Sequence, residues 1–187
     1  MAKLVLGKDP LNSIVADYNS RFKTSANADL ASYVTHRNPA EGWVRGLHKT
    51  NSGYQLGHMH QNRIPKIKKI NAIKAINSII IPVPFKDFED LFDWVYSTLK
   101  NNGVIGVPSL WVYDIALRIG QCMSPKVEPQ KYVYLYRGAH KGAKALNNSL
   151  AHKIKISKNR ADITTFPPIL QKEGSIHIEN IMCIYGH

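Results

Sequence analysis

Three histidines, His48, His58 and His60, sit close together, two of them separated by a single residue in Leu56-Gly57-His58-Met59-His60-Gln61-Asn62-Arg63. Imidazoles at that spacing can ligate a metal from a strand or shuttle a proton. No Asp or Glu lies between Glu41 and Asp87, so nothing there supplies a carboxylate to bind the metal or to orient the rings. His58 and His60 therefore read first as surface groups beside cations. Asp114, with Arg118 four residues on, reads as half of an intrahelical ion pair. Asp87, Glu89, Asp90 and Asp93 crowd one helix start, where the helix dipole accounts for them. Cys122 falls at a helix C-terminus, which raises a thiol pKa and makes a poor nucleophile. There is no Ser/His/Asp order, P-loop or dinucleotide fingerprint. His58, His60 and Asp114 remain the catalytic candidates, and no metal or cofactor is implied.

The chemistry the sequence states more clearly is cationic. The chain has 187 residues and a formal net charge of +12. Residues 42–85 contain no acid and seven cations, among them Arg63, Lys66, Lys68, Lys69 and Lys74. Residues 129–161 contain no acid and eight: Lys131, Arg137, Lys141, Lys144, Lys153, Lys155, Lys158 and Arg160. Like charges at this density repel one another in the folded state, which predicts an external polyanion as counter-charge. A phosphate backbone is the commonest, since each neutralised phosphate releases condensed counterions. The two windows are expected to make one electropositive surface. Lysines outnumber the Arg, Asn and Gln side chains that read bases, so the grip should be largely sequence-independent. Tyr134, Tyr136 and their neighbours, interleaved with Arg137, Lys141 and Lys144, add a candidate platform for stacking single-stranded bases.

These side chains need elements to position them. Leu11 to Tyr18 and Ala28 to Val34 have helical spacing, and the Gly-rich 42–62 segment suggests loops with a short hairpin. Ile64, Ile67, Ile70, Ile73 and Ile76, with lysines between them, suggest an amphipathic helix with a lysine-rich outer side and Pro65 in its first turn. Asp87 to Lys100 is the clearest helix, with Phe88, Leu91, Phe92, Val95 and Leu99 on one stripe and a stop at Asn101-Asn102-Gly103. Ser109 is placed to cap a second helix through Cys122, with Val112, Ile115, Ala116 and Ile119 inward. Lys131 to Tyr136 is rich in strand formers, Lys141 to His152 looks helical, and 176–185 closes the fold as a helix or a strand.

The string Gly103-Val104-Ile105-Gly106-Val107-Pro108-Ser109, between two helices, resembles the hairpin of helix-hairpin-helix DNA-binding proteins, in the form found in DNA glycosylases. That resemblance, covering 87–122 only, implies a phosphate held at Gly103, Gly106 and Ser109, and DNA rather than RNA as partner. It departs at Pro108, which replaces the family's second glycine and removes an amide donor. Trp111 and Tyr113 also stand where small residues are expected. Tyr136-Arg137-Gly138 resembles the first strand of some ADP-ribosyltransferases, but their later Ser-Thr-Ser strand and Glu-x-Glu turn are absent.

The expected fold is mainly α with minor β, a single domain made of a 1–41 arm, a 42–161 basic helical core and a 162–187 closing segment. The length permits a sizeable core without metal or disulfide. No apolar run approaches the eighteen residues of a membrane span, and two cysteines make no disulfide framework, so a cytoplasmic protein with reduced thiols is expected. The first functional reading is nucleic-acid binding without catalysis. The alternatives are a nuclease or glycosylase-like enzyme, and a module that binds an acidic protein.

Overall fold

The structure, a computed structural model, describes residues 4–34, 47–50, 53–56, 65–77, 80–82, 84–104, 106, 108–151 and 153–186. The chain is mainly helical with minor β structure, as its sequence predicts. In chain order the elements are α1 (Leu11–Arg21), α2 (Lys23–Val34), β1 (Leu47–Thr50), β2 (Gly53–Leu56), α3 (Lys66–Asn77), α4 (Phe88–Asn101), α5 (Ser109–Gln121), β3 (Tyr132–Tyr134), α6 (Arg137–Ser149), β4 (Arg160–Asp162), α7 (Pro168–Gln171) and α8 (Ser175–Tyr185). They divide into two compact units, one of Met1–Ala28 with Pro129–His187 and one of Asp29–Glu128.

The first unit is built around α6 and α8. Ala139, Gly142, Ala143 and Leu146 recur at three- and four-residue spacing, which puts them on one side of α6. All four are buried. The small size of Gly142 and its alanine neighbours lets the two backbones touch. A Cβ at Gly142 would overlap the Met182 carbonyl, and one at Gly186 would lie 2.5 Å from the Gly142 Cα. The N-terminal segment joins this pair through the Leu6 amide, which donates to the Tyr185 carbonyl at 2.9 Å. α1 then lays Ile14, Val15 and Tyr18 into the same core as Val133, Leu135, Phe166, Leu170 and Ile178. β3 and β4 pair antiparallel with Val133 opposite Ala161, both inward.

In the second unit α4 obeys its sequence closely. Asp87 caps it, its carboxylate accepting from the Asp90 amide at 2.9 Å, with Glu89 and Asp90 in the first turn. It ends in a left-handed Gly103 (φ +75°). The Gly103 amide donates to Lys100 at 3.1 Å and the Val104 amide to Leu99 at 3.0 Å, the two bonds of a Schellman stop. α5 differs from expectation in two ways. Pro108, not Ser109, stands at its cap position, with no side-chain cap bond. Every residue from Trp111 to Gln121 is buried, so the helix is enclosed on all sides rather than along one stripe.

Two further expectations are corrected. The isoleucine repeat does not stripe α3. A step of three residues falls about 60° short of a full turn, so Ile67 and Ile76, nine residues apart, end about 180° apart. Ile67 is 63% exposed and Ile76 fully buried, with Ala72 and Ala75 completing the inner face. Helix also runs through the polar 19–27 stretch except at Phe22, with its Ser and Asn exposed. α6 begins at Arg137, four residues before its expected start, and the tail from Ser175 closes as a helix.

If the α6–α8 contact organises the first unit, Gly142→Ala must push the backbones apart. The loss expected in urea denaturation is about 1–3 kcal/mol, despite alanine's better helix propensity. An unchanged midpoint would contradict the packing.

Candidate nucleic-acid interface

The side of α6 opposite Gly142 carries a regular row of cations. Arg137, Lys141 and Lys144 follow one another at intervals of four and three, within about 60° of arc, and centre about 180° from the buried face. All three are exposed. Burial of the small-residue face against α8 thus fixes which way the cations point.

Next to the start of α6 is a tight hairpin. Ser157 and Arg160 exchange backbone hydrogen bonds of 2.9 and 3.0 Å around Lys158-Asn159, both left-handed (φ +50° and +61°), a two-residue type I′ turn. The Asn159 carbonyl accepts from the Leu135 amide at 2.7 Å, two residues before α6 begins. Lys158 and Arg160 therefore flank the chain where Arg137 emerges. Arg137 is itself left-handed (φ +39°). Arg160 sits opposite Tyr134 in the β3–β4 register, its guanidinium 4.4 Å from the Tyr132 ring centroid, with the Lys131 ammonium 5.1 Å from the same ring.

Arg137, Lys141, Lys144, Lys155, Lys158 and Arg160 make no salt bridge with a described carboxylate. Elsewhere cations are paired: Arg21 with Asp17 at 3.2 Å, Lys23 with Glu173 at 2.6 Å, Arg118 with Asp114 at 3.8 Å and with Asp29 at 3.9 Å. Lys153 has another occupation, donating to the Asn147 and Leu150 carbonyls at the end of α6. Asp162, which closes the acid-free window, accepts from the Thr164 hydroxyl and amide and stands near Lys131. These hold its carboxyl below the usual range.

In the second unit Lys68 and the α4–α5 turn meet. The Lys68 ammonium would be 3.4 Å from a Cβ added at Gly106, a left-handed residue (φ +68°). Gly103, Gly106, Ser109 and Lys74 are exposed, and Lys68 is half-buried. Lys66 and Lys69 belong to α3. Arg63, His58 and His60 lie outside the described residues. His48 is in β1, paired with Gln55. Asp114 is buried in α5, where Arg118 donates to its carbonyl at 2.9 Å. Among the described residues no three His, Cys, Asp or Glu side chains gather as a metal would require. Neither Cys122 nor Cys183 is in a disulfide, and burial raises the Cys183 thiol pKa. No described helix is long and apolar enough to cross a membrane.

Two groupings went unread in the sequence. Tyr132 escaped because only the β register places it beside Arg160. The other grouping lies between α1 and α8. Asn180 donates to the Tyr18 hydroxyl at 3.3 Å, and that hydroxyl is 2.7 Å from His177 Nδ1. Tyr185 donates to Asp17 at 2.6 Å, and Glu173 accepts from Lys23 and Asn19. These contacts span more than a hundred residues of sequence, so no local spacing signals them.

The hydrogen bond from Tyr185, aided by Arg21, lowers the Asp17 pKa. Burial would raise the Glu173 pKa, but the bonds from Lys23 and Asn19 outweigh it, and the carboxyl is lowered. A lowered carboxylate binds fewer protons folded than unfolded, so stability rises with pH across the interval between the two values. The contribution should be complete above the ordinary carboxylate range of about pH 4 and be lost as pH falls through the depressed values. Urea midpoints measured from pH 5 downward should fall, and Asp17→Asn or Glu173→Gln should flatten the fall. An unaltered slope in both variants would contradict this. Separately, Lys158→Gly should raise stability by about 1 kcal/mol, because glycine adopts the left-handed turn without strain. A loss in chemical denaturation would count against the type I′ turn. The chain matches no protein-family model, no curated protein and no solved structure.

Proposed function

We propose that this is a nucleic-acid-binding protein that grips the phosphate backbone, with DNA as its target and little dependence on sequence. The observation that carries the reading is the exposed Arg137–Lys141–Lys144 stripe with the Lys158–Arg160 hairpin at its head, a set of cations without a described carboxylate partner. Among the residues of α6 that could read bases, Asn147 is occupied. It donates to the Ile154 carbonyl at 3.0 Å and accepts from the Ile154 amide at 2.7 Å, which leaves Asn148 exposed on the stripe. Cations aimed at phosphates position a duplex without reading it.

The α4–α5 turn supports the reading as a second grip. Its left-handed glycines bring backbone to the surface at the head of α5, with Lys68 alongside Gly106. This is also the segment that resembles the helix-hairpin-helix family. An enzymatic role gains nothing from Asp114, which is enclosed with Arg118. In this reading the protein works in the cytoplasm, where Cys122 and Cys183 stay reduced.

Binding to a DNA duplex should weaken with salt, with a log–log slope of about −0.9 for each phosphate contacted. Lys141→Glu/Lys144→Glu, at exposed positions, should keep the helical circular dichroism, lower affinity across unrelated sequences alike, and reduce the slope by about two contacts. No duplex binding at low salt, with saturable binding to an acidic protein instead, would overturn the proposal.

A further inference from the structure

We infer that the first unit's basic surface takes double-stranded rather than single-stranded nucleic acid; this rests on the phosphate-gripping reading above and specifies its substrate. Single-strand binders add to their cations a row of aromatic faces on which successive bases stack, and without such faces a strand offers them only its charge. The tyrosines that interleave with this window are not presented for stacking. Tyr134 and Tyr136 are buried, their rings stacked on each other at 6.3 Å between centroids. Tyr132 is half-buried and carries the Arg160 guanidinium and the Lys131 ammonium over its ring. The α6 stripe itself has no Tyr, Phe or Trp, and its one flanking imidazole, His140, is half-buried. A single ring of that kind makes no platform for consecutive bases.

A surface that offers charge alone discriminates by the charge density of its partner. A duplex carries two strands' phosphates per length of axis and condenses more counterions, so each contact releases about 0.9 of a counterion against about 0.7 from a single strand. For about five contacts, the number of exposed or half-exposed cations at the stripe and hairpin, that difference amounts to about tenfold at 0.1 M salt. The type I′ turn, tied to Leu135 through the Asn159 carbonyl, also fixes the backbone from which Lys158 and Arg160 extend. Fixed cations suit a rigid duplex and give no advantage toward a flexible strand, which adapts to any arrangement.

The test is a titration of the full chain, by fluorescence anisotropy at matched salt, with a mixed-sequence DNA duplex and with an oligo-dT strand of the same length. The duplex should bind about tenfold more tightly, and Lys141→Glu/Lys144→Glu, by removing two of the five contacts, should lower that preference to about fourfold. Equal or tighter binding of oligo-dT would overturn the inference and leave the phosphate-gripping reading standing. A duplex preference untouched by the double substitution would place the discrimination elsewhere and overturn it as well. Failure of both probes to bind at low salt would remove the inference together with the reading on which it rests.

Discussion

The contact between α6 and α8 is the constraint on which the first unit depends. Two glycines, Gly142 and Gly186, let the helix backbones meet, and no side chain can be added at either without collision. Because an α-helix has only one way to face a neighbour, burying Ala139, Gly142, Ala143 and Leu146 commits Arg137, Lys141 and Lys144 to the opposite side. The same contact fixes the start of α6 next to β3, and β3 in turn holds the Lys158-Asn159 turn through the Leu135–Asn159 bond. A packing requirement in the core thus arranges charge at the surface.

The unit treats its charges in two ways. On the α1–α8 side they are used internally: Asp17 between Arg21 and Tyr185, Glu173 between Lys23 and Asn19. Those pairs tie the N-terminal helix to the C-terminal one across nearly the whole chain, and they depress the carboxyls that take part. On the α6 and hairpin side the cations are left without carboxylate partners among the described residues, apart from Lys131 near Asp162. Surface ion pairs add little stability, so their presence on one side is not what holds the fold. Their absence on the other leaves like charges beside one another, a repulsion that an external anion would relieve.

Features governed by neighbouring residues were readable in the sequence. The acids at the start of α4, the Gly103 stop, the β3 strand and the pairing of Asp114 with Arg118 all follow from spacings of six residues or fewer. The antiparallel β1–β2 pair falls in the Gly-rich segment where a short hairpin is expected. What failed was whatever needed a partner from afar or a count of the helical phase. The every-third isoleucines looked like a stripe, yet that spacing winds them round α3. Nothing local to Gly142 signals the approach of Gly186, more than forty residues on. Tyr134 and Tyr136 looked available for stacking, but both are buried, their rings stacked on each other. Within the candidate interface, composition alone located the basic window. It did not separate Lys153, which closes the end of α6, from Arg137, Lys141 and Lys144, which point away from the core.

The most direct measurement is a map of backbone amide shifts on the isotopically labelled chain as a DNA duplex is added. The account predicts perturbations that cluster at 137–148 and 157–160, with the α1–α8 side around Asp17, Glu173 and His177 left unchanged. Shifts confined to that acidic, internally paired side, or a spectrum that does not respond at saturating duplex, would contradict it.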